Sequence, residues 1–103
     1  MSIAKASILT SATTAYTSSG ATAITSMFIC NFDTSNDCHV TVYIVPSGDS
    51  ADDTTTIFKE LTIEAGDTYI FNTERFLLAN GDTVKMTAET AGDLSSVISY
   101  TSV

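Results

Sequence analysis

Two apolar segments joined by a short polar cluster, between Ile24 and Pro46, constrain the fold of this chain more than any other feature. The segments ITSMFICNF and CHVTVYIVP flank the cluster DTSND. β-Branched and aromatic residues favour strands, whereas Asp, Ser and Asn favour turns. The stretch therefore predicts two strands joined in a β-hairpin.

A three-residue loop centred on Thr34 gives this hairpin one almost wholly apolar face. It places Cys30 opposite Cys38 and Phe28 opposite Val40, because side chains directly opposite in an antiparallel pair share a face. The two cysteines are then either two buried thiols or a cross-strand disulfide. Assembly in a reducing cytosol favours the thiols.

The other face of the predicted hairpin is mixed and includes four apolar residues, Met27, Ile29, Tyr43 and Val45. Either the first or last segment of the chain covers this face, or the face is an oligomer or docking surface, since exposed apolar patches often mark association sites. These four residues are the candidate interaction surface.

Short segments of strand character, separated by turn signals, fill the rest of the chain. Lys5–Thr17 predicts one strand, and residues 1–17 form either an edge strand or an N-terminal arm. Gly66 and Asp67 predict a tight turn after which residues 68–72 return antiparallel to residues 54–65. Thr73–Arg75 fits either one helical turn or a crossing loop. About seven to eight short strands predict one all-β domain over residues 1–103, an antiparallel β-sandwich or jelly roll.

The charge of the chain excludes several classes of partner. Lys and Arg total 4 against 12 acidic residues, a formal net charge of -8. A nucleic-acid backbone or an anionic membrane repels such a chain. No segment approaches the roughly 20 apolar residues that span a bilayer, and residues 1–10 do not resemble a secretory signal. We expect no nucleic-acid or membrane partner and synthesis in a cytoplasm.

Few residues suit catalysis or metal binding. His39 is the only histidine, and the adjacent Cys38 points to the opposite side of its strand, so we expect no Cys-His dyad. Asp49, Asp52 and Asp53 could offer oxygen ligands to calcium, but their spacing lacks the alternation of an EF-hand. We expect these residues to form a solvated acidic loop, and the sequence does not decide whether the loop binds an ion. We expect neither an enzyme nor a cofactor or metal site.

The order of several motifs resembles that of the small virion structural proteins of tailed bacteriophages. The shared features are an Asn after the first central strand, a V-x-V-x-x-V-P-S-G segment, an A-G-D-T turn, an L-x-x-G-D-T segment and a short apolar C-terminal strand. Here they correspond to Asn31, Val40–Gly48, Ala65–Thr68, Leu78–Thr83 and SVISYTSV. The resemblance covers most of the chain after Gly20.

This resemblance implies a non-enzymatic protein that is made in the host cytoplasm and incorporated into the virion. Its first implication is a capsid decoration (cement) protein that contacts the major capsid protein or other virion proteins and sister subunits. Because residues 1–17 carry few charges and chain termini are mobile unless tied down, they are a candidate arm that orders on docking. A tail, neck or baseplate subunit is the alternative. A receptor- or carbohydrate-binding module is the third reading, for which the tyrosines at 16, 43, 69 and 100 are widely scattered.

Overall fold

A computed structural model of the protein describes residues 2–8, 10–11, 13–71, 76–89 and 94–102, and the strands within these ranges confirm an all-β fold. Residues Thr73–Arg75, whose conformation the sequence leaves open, lie outside the described residues. The nine described strands are β1 Ser2–Ile8, β2 Thr13–Thr17, β3 Thr22–Asn31, β4 Cys38–Val45, β5 Thr56–Ile63, β6 Thr68–Phe71, β7 Phe76–Leu78, β8 Thr83–Ala88 and β9 Leu94–Ser102.

The strands form two antiparallel sheets. Sheet A has the order β1-β9-β3-β6, with β7 also pairing with β3, and sheet B has the order β2-β8-β4-β5. If β6 and β7 count as one interrupted strand, the chain is a long hairpin with β4 and β5 at its tip. β3 then pairs with β6 and β7, β2 with β8, and β1 with β9. Rolling this hairpin brings β9 beside β3 and β8 beside β4, which is the strand order of a jelly roll.

The predicted hairpin between β3 and β4 is wrong. β3 belongs to sheet A and β4 to sheet B, so the DTSND cluster carries the chain across the sandwich. The predicted return of residues 68–72 along β5 is wrong for the same reason, since β6 pairs with β3. A turn sequence specifies a change of direction, but both a hairpin and a crossing between sheets satisfy it. Among the described strands, the β4–β5 connection is the hairpin of the fold.

The core lies between the sheets and reverses the predicted orientation of β3. Met27 and Ile29 point inward with no exposed surface, whereas Phe28 points outward. β4 has the predicted orientation, with Val40 and Val42 fully buried. In a hairpin the two strands would share one buried face. In facing sheets each strand buries the side that meets the other sheet. Whether the odd- or even-numbered residues of β4 point inward therefore does not determine which residues of β3 point inward.

The predicted pairing of Cys30 with Cys38 is therefore also wrong. Cys30 lies opposite Ser95 and Thr68 in sheet A, and Cys38 lies opposite Ile63 in sheet B. Both thiols are free; Cys38 is buried in the core, and Cys30 is half-buried on the outer side of sheet A.

Departures from strict alternation coincide with irregular pairing. In β5, Glu60 has a φ of 52°, and the register with β4 shifts between Val40 and Val42. The shift turns Phe58 toward the core, so the even-numbered Phe58 and the odd-numbered Leu61 and Ile63 all pack inward. β8 has no such shift in its register with β4, and its alternating apolar residues Val84, Met86 and Ala88 are all buried.

The segment Lys5–Thr17, predicted as one strand, contains parts of two. β1 forms an edge of sheet A and β2 an edge of sheet B. Both contribute side chains to the core, including Ile8 and Tyr16. The small and β-branched residues of this segment suit a strand throughout, so no marker in the sequence separates β1 from β2.

A single buried amide holds the β3–β4 crossing in place. Asn31 has no exposed surface, and its side-chain nitrogen donates to the carbonyl oxygens of Asn36 at 2.9 Å and Ile63 at 3.0 Å. The backbone N–H of Asp33 donates to the Asn31 side-chain oxygen at 3.1 Å. These bonds connect the end of β3 in sheet A to the end of β5 in sheet B.

At the opposite end of the sandwich, the turn before β8 joins two loops. The Asp82 carboxylate accepts hydrogen bonds from the backbone N–H groups of Ser47 and Ala79, each at 2.9 Å. Gly81 has a φ of 87°, and a Cβ there would lie 2.7 Å from the Ser47 hydroxyl oxygen. The turn therefore requires glycine both for its backbone conformation and for the close approach of Ser47.

Candidate functional site

The structure does not bring the predicted interaction residues together on a surface. Met27 and Ile29 have no exposed surface, and Val45 is 2% exposed, so the prediction of a contact surface is wrong for these three. Tyr43 is half-buried on the outer side of sheet B, opposite Lys85 and Thr56. For Met27 and Ile29 the error follows from the hairpin, because that pairing assigned the core face of β3 to the outside. Val45 is on β4, which has the predicted orientation, and it is buried without belonging to the core cluster between the sheets.

The outer side of sheet A carries a row of apolar side chains instead. Phe28 lies directly opposite Val97 on β9 and Ile70 on β6, and Lys5 on β1 continues the row beyond Val97. Phe28 is 36% exposed, Val97 39% and Ile70 49%. Cross-strand neighbours on one face lie about 5 Å apart, so the three apolar side chains form a continuous stripe.

Two more apolar side chains extend this surface, which we call the sheet A face. Ile3 on β1 is 71% exposed and Leu77 on β7 is 75% exposed. Among the described residues, five of the eight large apolar side chains that remain exposed lie on this face. Apart from Lys5, its other outward residues are small and uncharged, and include Ser7, Ser95, Cys30 and Thr68.

Charge is distributed unevenly between the two sheets. The described strands of sheet A contain one charged residue, Lys5. The described acidic residues lie in the loops and, as Glu60, on β5 of sheet B. A partner that covers the sheet A face therefore removes little charge from water, which keeps the desolvation cost low.

Sheet B has a polar outer side with a shallow groove of about 240 Å³. His39 lies in this groove, where its Nδ1 is 3.2 Å from the Thr62 hydroxyl and 3.4 Å from the Glu60 carbonyl oxygen. Cys38 points into the core, so the predicted placement of Cys38 and His39 on opposite sides of the strand is confirmed. Glu60, Glu89 and several threonines complete the lining.

The acidic loop after Pro46 is held by its own hydrogen bonds. The Thr54 hydroxyl and backbone N–H both donate to the Asp52 carboxylate, which lowers the pKa of Asp52 below its ordinary value, with the hydroxyl as the larger cause. Asp53 lies 3.5 Å from the Lys59 ammonium group in an exposed ion pair. Within the part of the chain that the structure describes, no group of three or more His, Cys, Asp or Glu side chains is placed to hold a metal ion.

No protein-family model matches the chain, and no curated protein or solved structure is significantly similar to it. The described residues include no helix long and apolar enough to cross a membrane.

Sequence reasoning missed the sheet A face because it assigned Phe28 to the core. One signal for the face was present, since Val97 and Ser99 alternate with Ile98 and Tyr100 along β9. Alternation separates the two sides of a strand, but it does not show which apolar side is covered when both sides carry apolar residues.

Proposed function

We propose that the protein is a non-enzymatic structural subunit of a phage virion, a capsid decoration protein that binds the shell through the sheet A face. The observation that carries this proposal is the stripe of Val97, Phe28 and Ile70 on a sheet with one charged residue. The resemblance to small virion proteins and the use of jelly rolls in viral capsids support it.

The sheet A face suits adhesion by many modest contacts. A fully buried Val, Leu, Ile or Phe side chain contributes roughly 1.5–3 kcal/mol relative to an exposed one. The five apolar side chains of the face keep between 36% and 75% of their surface exposed, so covering each contributes about 1 kcal/mol. Repetition at symmetric positions on a shell multiplies this gain, and the acidic loops stay in water.

A matched pair of substitutions tests the docking face. Ile70 is 49% exposed on the sheet A face, and Ile57 is 36% exposed on β5 of sheet B. We expect Ile70→Lys to weaken binding to capsids stripped of this protein by about tenfold or more, because docking then buries an ammonium group. Ile57→Lys adds the same charge and should bind as the wild type does.

Co-sedimentation of purified protein with stripped capsids measures this difference, and thermal melting checks that both variants are folded. If Ile70→Lys binds as tightly as Ile57→Lys, the sheet A face is not the docking surface.

The location of the protein in the virion is tested separately by electron microscopy of virions with the protein labelled. Label on the tail, neck or baseplate would replace the capsid decoration proposal with that of a tail-associated subunit.

The sheet B groove is a candidate site for the carbohydrate-binding alternative, since threonine hydroxyls, His39 and two carboxylates can hydrogen-bond to a sugar. A glycan array probed with the purified protein addresses it. Specific glycan binding, together with no binding to stripped capsids, would favour the hypothesis of a receptor- or carbohydrate-binding module.

A further inference from the structure

The edge strands of the two sheets differ in how well they are protected against pairing with another chain. β2 has five residues and a register shift between Thr14 and Tyr16. β5 is bent at Glu60 and carries charged side chains. β6 and β7 are short, with 4 and 3 residues. Bulges, charges and short lengths are the usual means by which proteins block edge-to-edge pairing.

β1 lacks most of these protections. Its seven residues pair with β9 in one unbroken register from Ser2 to Ile8. None of the described strands pairs with β1 on its other side. The strand contains no proline, and its one charged residue is Lys5. Among the described residues, no hydrogen bond reaches the free edge of β1, so this edge presents a regular row of backbone donors and acceptors that is a template for another strand.

We propose that the free edge of β1 pairs with β1 of a second copy of this chain, antiparallel around a two-fold axis, so that the two A sheets become one continuous sheet. The distribution of charge favours association of two copies along this side of the molecule. Each copy has a formal net charge of -8, but neither β1 nor the neighbouring β2 contains an acidic residue. Two copies meeting here keep their acidic loops apart, whereas the opposite flank would bring Glu60 of each copy together.

The position of Lys5 sets the register of the paired strands. A two-fold axis at Lys5 would place the two lysines directly opposite each other, which is unfavourable. An axis at Ala4 places Lys5 of each copy opposite Ile3 of the other. The aliphatic part of the lysine then covers Ile3, which is 71% exposed in the single chain, while its ammonium group stays in water.

This inference does not rest on the proposed function, because self-association can be measured without a capsid. It adds a partner for the backbone edge of β1, which docking through the outer side of sheet A leaves free. In the dimer the two sheet A faces lie side by side on the same side of the joined sheet, and their apolar stripes are presented together to one partner surface.

The first test is sedimentation equilibrium of the full chain. We expect a dimer whose affinity increases when NaCl is raised from about 0.05 M to about 0.5 M, because salt screens the repulsion between two acidic chains. Lys5→Glu should weaken the dimer by about tenfold or more, since it places an acid at the paired edge. Lys59→Glu is the matched control, because it makes the same charge change on β5, at the opposite flank.

A wild-type chain that stays monomeric at about 1 mM, a concentration at which even a weak association is visible, would overturn the proposal. An equal weakening by Lys5→Glu and Lys59→Glu would also overturn it, because the effect would then come from net charge and not from the β1 edge.

Disulfide trapping provides a second measurement that does not depend on the charge substitutions. In a Cys30→Ser background, a mixture of Ile3→Cys and Lys5→Cys chains should form a linked heterodimer on mild oxidation, since these positions are opposite each other in the paired strands. Ser7→Cys chains should not link to each other, because the two-fold axis places them far apart. Efficient self-linking of Ser7→Cys without the mixed product would contradict the antiparallel pairing.

Discussion

Replacement of Asn31 by alanine is the sharpest test of the way β3 and β4 are connected. The Asn31 side chain is fully buried and makes three hydrogen bonds across the β3–β4 crossing and to the end of β5. In Asn31→Ala the carbonyl oxygens of Asn36 and Ile63 and the backbone N–H of Asp33 all lose these partners. If β3 and β4 formed a hairpin, Asn31 would lie on its mixed outer face, and the substitution would cost little.

The expected loss follows from these bonds. Each hydrogen bond contributes about 1 kcal/mol, so the variant should lose about 3 kcal/mol of unfolding free energy. Domains of this size are usually stable by about 5–15 kcal/mol, so the variant is expected to remain folded. With a urea m-value of about 1–3 kcal/mol/M, the midpoint should fall by about 1–3 M.

Urea unfolding followed by far-ultraviolet circular dichroism measures this change, because the chain has no tryptophan to serve as a fluorescent probe. Cys30→Ala is the control. Cys30 is the adjacent residue on β3, but it points outward and is half-buried, so its truncation should cost less than about 1 kcal/mol. If Asn31→Ala and Cys30→Ala lose the same small amount, the buried amide does not hold the crossing and the reasoning is refuted.

Three further predictions concern a buried hydroxyl, a tight turn and two hydrogen-bonded carboxyl groups. Ser96 is 1% exposed and its hydroxyl has no hydrogen-bond partner among the described residues, so Ser96→Ala should raise the unfolding free energy by about 1 kcal/mol. A decrease of that size would mean that the hydroxyl is hydrogen-bonded. Gly81→Ala should destabilise the protein more than Gly48→Ala, because both glycines have positive φ but of these two only Gly81 has another side chain where the added Cβ would lie. Equal decreases in unfolding free energy, measured by urea unfolding, would contradict the predicted clash with Ser47. Hydrogen bonds, chiefly from the Ser35 backbone N–H to Asp33 and from the Thr54 hydroxyl to Asp52, lower the pKa of each carboxyl. A lowered folded-state pKa contributes stability above the ordinary Asp pKa of about 4 and loses it as the pH falls below that value. The stability of the Asp33→Asn and Asp52→Asn double variant should therefore fall less on acidification than that of the wild type, and identical pH profiles would contradict this assignment.

The strands themselves could be predicted well from the sequence because their signals are local. The apolar residues Val84, Met86 and Ala88 alternate with polar ones along β8, and this apolar side is the buried one. Along β9, alternation separates Val97 and Ser99 from Ile98 and Tyr100. Cys38 was correctly placed on the opposite side of its strand from His39. The all-β fold and the sandwich follow from many short strands of this kind. Each of these results depends on residues close together in the chain.

Assignment of each strand to a sheet was decided only by the tertiary structure. β3 carries apolar residues on both sides, with Met27 and Ile29 on one and Phe28 on the other, so its own sequence permits either side to be buried. The choice depends on pairing with β9, which lies more than 60 positions further along the chain. Side-chain alternation has a period of two and records which residues share a side, but not which side meets the core. That long-range pairing buried Met27, Ile29 and Asn31, and it left Phe28 outside with Val97 and Ile70 on the face that now carries the functional proposal.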